Sequence, residues 1–213
     1  METSDLTGLT ARARRLALAQ GRRILGIAGP PGAGKSTLAG QLVDALGPLA
    51  VLVPMDGFHL AQGELERLGR AARKGAPDTF DAAGYAALLR RLRAPEAGTI
   101  VYAPEFDRAL EQPVAGSVAV DPEVPLVVTE GNYLLHDEGA WASVRGLLDE
   151  AWFLDLEQDV RVRRLVERHV RFGKPRDFAE RWVAGSDEAN ARLVALGRDR
   201  ADLVVRTGGG ARP

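Results

Sequence analysis

Residues 29–36 read Gly-Pro-Pro-Gly-Ala-Gly-Lys-Ser and match G-x-x-x-x-G-K-[ST] at every fixed position. Glycines let successive backbone N–H groups converge on a phosphate, and a following helix adds its own free N–H groups. Lys35 can then reach the β- and γ-phosphates of a nucleotide, and the Ser36 hydroxyl can bind Mg²⁺. The residues expected to contact the nucleotide are Gly29, Gly32, Ala33, Gly34, Lys35, Ser36 and Thr37. The alternative, a glycine-rich turn with a chance lysine, does not explain the complete match.

Two acidic residues follow apolar runs that are typical of buried parallel strands. Asp56 comes after the run at 49–53, and Glu130 ends the run at 126–130. Ligands of open α/β sheets bind at the carboxyl ends of strands, so both acids are expected beside the phosphate loop. Asp56 can accept a proton from a hydroxyl or help to order Mg²⁺; otherwise it is a turn aspartate before Gly57. Glu130 is predicted to hold Mg²⁺ through a bound water, the alternative being a solvated strand end.

A basic segment at 161–181 contains eight Lys or Arg residues and three acidic residues. Arg164 and Arg168 are four residues apart and share a helix face, so they can stabilise charge on a transferred phosphoryl group. Gly173 and Pro175 interrupt the helix, which is typical of a hinged lid at about 160–180. Nucleic-acid binding is the competing interpretation, but this segment has only Phe172 and Phe178 as aromatic residues for stacking on bases, so that interpretation ranks lower.

Three further residues are predicted to contact a phosphate acceptor. His59 lies three residues after Asp56 and is predicted to shape the acceptor pocket; alternatively, it is a polar loop residue. Arg108 lies in a loop and can contact a phosphate, or it can pair on the surface with Asp107 or Glu105. Asn190 lies near an irregular point of the last helical region and either points into the cleft or is a surface amide.

The elements that must position these residues alternate between strand and helix patterns, which predicts an α/β fold with one domain over 1–213. An N-terminal helix is expected at 4–20, an acceptor-side insert at about 57–120 with short strands at 99–102 and 114–120, and a disordered tail at 208–213. The loop that joins the two short strands is expected to include 104–108.

Composition narrows the class of protein. The net charge of −1 gives no general bias toward nucleic acid or membranes, and neither is expected as a partner. The absence of cysteine excludes disulfides and thiol catalysis. No apolar run is long enough to span a bilayer, and the apolar stretch after the basic N-terminal residues is too short for a signal peptide. We therefore expect a cytoplasmic protein.

Several motifs together resemble the P-loop kinases that include uridine kinase, phosphoribulokinase and bacterial pantothenate kinase. They are PMDGFHL at 54–60, APDTFD at 76–81, Phe106-Asp107-Arg108 and TEGNYLL at 129–135. Their order is most similar to the sugar-transport-associated (fructose transport system) kinase-like branch. The resemblance implies a three-layer sandwich with a five-stranded parallel core sheet, commonly dimeric, so a homodimer is one possible assembly.

The resemblance also implies roles for residues. Asp56 corresponds to the catalytic base, Glu130 to the acid that assists Mg²⁺, and Arg164 and Arg168 to lid residues that contact the phosphates of ATP. We therefore expect an ATP- and Mg²⁺-dependent kinase that phosphorylates a hydroxyl of a small metabolite, with Lys35 as a fourth catalytic residue. A sugar, a pantothenate-like compound and a nucleoside all remain candidate acceptors.

Two alternatives belong to other functional classes. A nucleotide-dependent switch would hydrolyse or sense a nucleoside triphosphate, but the N-K-x-D and T-K-x-D motifs of GTPases are absent. A non-catalytic ATP-binding module is disfavoured because Lys35, Ser36, Asp56 and Glu130 are all present.

Overall fold

The computed structural model describes residues 5–206, and its centre is a five-stranded sheet in which all neighbouring strands are parallel. The strands are β1 (Arg23–Ala28), β2 (Ala50–Leu52), β3 (Val101–Asp107), β4 (Gln112–Val120), β5 (Leu126–Gly131), β6 (Glu150–Asp155) and β7 (Leu203–Arg206). The helices are α1 (Leu6–Ala17), α2 (Lys35–Leu46), α3 (Gln62–Arg67), α4 (Ala82–Arg93), α5 (Gln158–Arg171), α6 (Arg176–Trp182) and α7 (Glu188–Ala195). The sheet order is β2-β5-β1-β6-β7, which confirms the predicted α/β fold with its five-stranded parallel core.

Helices cover both faces of this sheet, which explains why its strands are almost continuously apolar. All six residues of β5 are buried. On one face, α1 and α2 contribute a core that includes Leu9, Leu42 and Trp152. On the other face, α4 and the segments before β6 contribute Tyr85 and Trp141, among others. The molecule therefore has the predicted three layers.

Helix α1 is shorter than the predicted helix at 4–20. It begins at Leu6, where the side chain of Asp5 accepts a hydrogen bond from the N–H of Gly8. It ends at Ala17, the last buried residue of its apolar stripe, and the next residue, Leu18, is 70% exposed. Ser4 and the predicted disordered tail at 208–213 lie outside the described residues. Within residues 5–206 no helix combines the length and the apolar character needed to cross a membrane.

The predicted insert contains a two-stranded antiparallel hairpin of β3 and β4. The prediction ended the first strand at residue 102 and made 104–108 a loop, but β3 continues to Asp107. Proline lacks an N–H donor and usually argues against strand. Pro104 is tolerated because it lies where the pairing register shifts, between Ala103 and Glu105.

The segment predicted as a lid consists of α5, α6 and the turn that joins them. Gly173 has a φ of 85° in this turn, a conformation that favours glycine. The two helices and the π-helical turn Val183–Asp187 share a small apolar cluster of Leu165, Val166, Ala179 and Val183. The cluster is separate from the cores on the two faces of the sheet, so this helical pair has its own local packing.

The hairpin packs closely on the 3₁₀ turn Met55–Phe58, which carries Asp56. A Cβ atom added to Gly57 would lie 2.6 Å from the carbonyl carbon of Pro104 and closer still to its oxygen. Only glycine allows this approach, so Gly57 sets the spacing between the Asp56 turn and the hairpin.

We predict that Gly57→Ala lowers the free energy of unfolding by about 1–3 kcal/mol, because the added methyl group overpacks a backbone contact. Urea denaturation of both proteins measures the difference. Gly63→Ala is the matched control, since a Cβ at Gly63 meets no atom within 4 Å and the residue lies in α3. Equal unfolding free energies for Gly57→Ala and the wild type would contradict the proposed close contact.

Candidate active site

The phosphate loop connects β1 to α2, as its motif predicts. Gly32 and Gly34 have φ angles of 80° and 95°, so the turn uses conformations that side chains disfavour. A Cβ at Gly32 would lie 2.7 Å from Cγ of Leu165 in α5. The loop therefore lies directly against the first helix of the predicted lid.

Lys35 is only 8% exposed and points into a cleft of about 410 Å³. Its Nζ donates hydrogen bonds to Oδ1 of Asn132 at 2.7 Å and to the carbonyl oxygen of Pro30 at 3.1 Å. Burial lowers the pKa of Lys35, and the charges of Glu130 and Asp56 oppose this shift. Both hydrogen-bond partners are neutral, so a phosphate can replace them with a gain in charge complementarity.

Ser36 and Glu130 form the second pair at the base of the cleft. The Ser36 hydroxyl donates to Oε1 of Glu130 at 2.9 Å, and Glu130 is 5% exposed. Burial raises the pKa of Glu130, and the negative charge of Asp56 adds to the shift while Lys35 opposes it. Two adjacent oxygen donors suit Mg²⁺, which keeps waters and phosphate oxygens as its other ligands. Among the described residues no group of three His, Asp or Glu side chains forms a complete metal cage.

Asp56 and Arg108 both line the cleft, and their charged groups lie near each other. Nη2 of Arg108 lies 3.9 Å from Oδ2 of Asp56. Asp107, which sequence reasoning offered as a surface partner of Arg108, instead accepts hydrogen bonds from the N–H groups of Ala109 and Leu110 at 2.7 and 3.0 Å. These bonds shape the hairpin turn and leave Arg108 available to the cleft.

His59 also lines the cleft, and its ring packs between aromatic neighbours. Its Nδ1 donates to the carbonyl oxygen of Asp56 at 2.8 Å. The ring centroid lies 4.0 Å from that of Phe80 and 4.8 Å from that of Phe106. Burial lowers the pKa of His59, which favours the neutral imidazole. A neutral, fixed ring can form part of a pocket wall.

Asn190 is 8% exposed and lines the same cleft, so it is not a surface amide. Its Nδ2 donates to the carbonyl oxygen of Gly75 at 3.3 Å. The side chain therefore holds a neighbouring loop, whereas the sequence prediction had given it a direct contact with the acceptor. That contact stays a prediction.

The two predicted lid arginines lie in different environments. Arg168 lines the cleft, where partial desolvation lowers its pKa and the nearby positive charge of Arg108 acts in the same direction. Arg164 is not among the described residues that line the cleft. Of the predicted nucleotide contacts, the cleft wall includes Gly32, Lys35 and Ser36 but not Gly29, Ala33, Gly34 or Thr37.

Sequence reasoning missed two residues that hold this site together. Asn132, two positions after Glu130, bonds to Lys35; its only signal was its place in the TEGNYLL motif. Arg161 is 4% exposed, donates to the carbonyl oxygen of Pro31 at 3.3 Å and pairs with Glu188. Its four-residue spacing from the buried Leu165 could have revealed it as an inward-facing cation.

The parallel sheet, the phosphate loop and the acidic residues beside it define a P-loop kinase. The chain belongs to the phosphoribulokinase / uridine kinase family, whose model matches residues 24–209. The family consists of ATP-dependent kinases, which implies that the protein uses ATP.

Known proteins extend this similarity over most of the chain. A crystal structure described as a "putative fructose transport system kinase" from Silicibacter sp. TM1040 has 38% identity and a TM-score of 0.83, covering 94% of this chain and 98% of that one. The "ATP-dependent kinase-like protein notR'" of Aspergillus versicolor is 37% identical over 68% of this chain and 88% of its own length. The "Putative uridine kinase C227.14" of Schizosaccharomyces pombe is 35% identical over 97% of this chain and 86% of its own length.

We predict that Arg161→Met destabilises the protein by about 3 kcal/mol, because the carboxylate of Glu188, with 13% of its side chain exposed, then loses its cation. ATP binding should also weaken, since Arg161 holds the backbone of the phosphate loop. Urea denaturation and ATP titration measure the two effects.

Arg163→Met is the matched control on the same helix, where Arg163 is exposed; its effect should stay within about 0.5 kcal/mol. The double variant Arg161→Met/Glu188→Met should recover part of the lost stability, because no buried charge is then unpaired. Equal stabilities of Arg161→Met and Arg163→Met would contradict the role of this ion pair.

Proposed function

We propose that the protein transfers the γ-phosphoryl group of ATP to a hydroxyl of a small metabolite. The observation that carries the proposal is one cleft lined by Lys35, Ser36 and Glu130 at the phosphate loop and by Asp56 and Arg108 beside it. A nucleotide site alone would need only the first group. An aspartate next to the phosphates adds a group that can accept a proton from an alcohol.

The donor half of the site is explained by charge and backbone geometry. The β- and γ-phosphates of ATP would lie on the phosphate loop and the N-terminus of α2, and Lys35 would exchange Asn132 and Pro30 for phosphate oxygens. Mg²⁺, held by Ser36 and assisted by Glu130, would neutralise part of the phosphate charge. Arg168 lies in the same cleft and can add a further positive charge as the reaction proceeds.

On the acceptor side of the cleft, the hydroxyl of the acceptor would be the nucleophile, and Asp56 would receive its proton. The acceptor oxygen would attack the γ-phosphorus in line with the bond to the β-phosphate oxygen. That bond breaks as the new O–P bond forms, ADP leaves, and the hydroxyl proton passes to Asp56. Arg108, whose Nη2 lies 3.9 Å from Oδ2 of Asp56, would place a positive charge beside the carboxylate that receives the proton.

The prediction that tests this function is the loss of phosphoryl transfer in Asp56→Asn. With an acceptor from a panel of sugars, pantothenate-like compounds and nucleosides, turnover should fall about 10²- to 10⁴-fold, the range for loss of a general base. The dissociation constant for ATP should stay within about twofold, because the phosphate loop is unchanged. ADP release and product mass measure transfer, and equilibrium titration measures ATP binding.

Asp44→Asn is the matched control, because Asp44 is an exposed carboxylate on α2 outside the cleft. Its turnover should equal that of the wild type. Undiminished transfer by Asp56→Asn would rule out Asp56 as the base. ATP hydrolysis that is equally fast with and without every acceptor would instead indicate a nucleotide-dependent switch.

A further inference from the structure

We propose that the acceptor carries an anionic group, a carboxylate or a phosphate ester, and that Lys74 and Arg108 bind it in the cleft. This inference rests on the proposed kinase function and narrows its substrate class. It selects hydroxy acids and phosphorylated polyols over neutral sugars and nucleosides.

The first observation is the unequal pairing of three neighbouring cations. Arg70 and Arg73 both pair with the carboxylate of Asp78, the former at 3.4 Å, and neither lines the cleft. Lys74 does line the cleft, and among residues 5–206 no carboxylate oxygen lies within 4 Å of its Nζ. Within the same residues, its one hydrogen bond is to the carbonyl oxygen of Glu111, at 2.9 Å. An ammonium group has three N–H donors, so two remain for a ligand.

The second observation is that the loop carrying Lys74 is held firmly from inside the protein. The carbonyl oxygen of Gly75 accepts hydrogen bonds from the hydroxyl of Tyr133 at 2.5 Å and from Nδ2 of Asn190 at 3.3 Å. The N–H of Gly75 donates to the buried hydroxyl of Thr79 at 2.9 Å. Lys74 is therefore positioned at the cleft by buried side chains, unlike a lysine on a mobile surface loop.

The third observation concerns Arg108, which brings a second cation into the same cleft. Its only carboxylate neighbour within 4 Å, among the residues that the structure describes, is Asp56 at 3.9 Å. This distance is too long for a hydrogen bond, so the guanidinium keeps donors free for an anion. Both Lys74 and Arg108 are close enough to His59 for their charges to favour its neutral form.

A neutral acceptor fits this wall of the cleft poorly. Desolvation by an uncharged sugar or nucleoside would leave the ammonium group of Lys74 without a compensating charge. Phe106 and Phe80, which pack on His59 in this wall, are also engaged already: Phe106 contacts His59 and has Nζ of Lys74 5.4 Å from its centroid, and Phe80 contacts His59. A base would have to displace these contacts to stack on either ring, whereas an anion would bind the cations as they stand.

The experiment is a binding comparison with a non-hydrolysable ATP analogue saturating the phosphate loop, so that anions cannot bind there. Each matched set compares a neutral compound with related compounds that carry an anionic group: ribose with ribonate and ribose 5-phosphate; glycerol with glycerate and glycerol 3-phosphate; uridine with uridine 5′-phosphate. Calorimetric titration gives the dissociation constants, and the carboxylate and phosphate members of the ribose and glycerol sets distinguish the two anions.

We expect an anionic member to bind at least about 10-fold more tightly than its neutral counterpart. Lys74→Gln should weaken that binding about 10- to 100-fold, the range for loss of a charged hydrogen bond, while Lys74→Arg should largely retain it. Arg67→Gln is the matched control, because Arg67 pairs with Glu64 on the exposed face of α3 outside the cleft. Its affinity for the anion should equal that of the wild type.

Equal binding of neutral and anionic members, or unchanged anion binding by Lys74→Gln, would overturn the proposal. Parallel turnover with ATP separates this failure from failure of the kinase function. Phosphorylation of neutral acceptors at a rate unaffected by Lys74→Gln would keep the kinase and reject the anion site. Lys74-dependent anion binding without transfer to any bound compound would keep the anion site and reject the kinase.

Discussion

The parallel pairing of β1 with β5 is the constraint on which the rest of the site depends. In this register Ile27 lies beside Glu130 and Ala28 beside Gly131, so the phosphate loop begins where the acidic strand ends. β2 pairs with the other edge of β5 and delivers the Asp56 turn to the same end of the sheet. Three chain segments far apart in sequence thus bring a lysine and two carboxylates into one cleft. A slip of β5 by one residue against β1 would turn Glu130 to the opposite face of the sheet.

The same register places the charged groups of Lys35 and Glu130 close together in a nearly buried part of the cleft. Lys35 and Glu130 are both nearly buried, and desolvation disfavours the charged form of each, as the directions of their pKa shifts indicate. The opposite charges of the two residues partly offset this cost. Glu130 also accepts a hydrogen bond from the Ser36 hydroxyl, and Lys35 donates one to the side-chain oxygen of Asn132. Such an arrangement costs stability in the free protein. In the proposed function, a bound nucleotide and cation would offset that cost.

The sequence predicted the fold well, and it predicted that Glu130 lies beside Lys35 and Ser36, because these predictions depend on local patterns. Apolar runs of strand length, a complete phosphate-loop motif and acids at strand ends require no knowledge of distant contacts. Arg161 and Asn190 show where local patterns fail. Arg161 lies in a basic helix, and its burial depends on Glu188 and on the backbone of Pro31. Asn190 acts on the carbonyl group of Gly75, which no sequence spacing indicates.

The part of the cleft proposed to bind the acceptor is harder to predict from sequence, because loops build it and their positions depend on tertiary contacts. Helix α7 supplies one of these contacts, and it links the phosphate loop to the loop that carries Lys74. Glu188 pairs with Arg161, which bonds to the phosphate loop, and Asn190, two residues later, bonds to the loop that carries Lys74. The π-helical turn before α7 adds one residue to the helical repeat. Asp187, which lies in that turn, accepts a hydrogen bond from His169 of α5 at 3.1 Å. A displacement of α5 would move α7 through the Arg161–Glu188 and His169–Asp187 contacts. Helix α7 therefore couples the position of the phosphate loop to that of the loop that carries Lys74.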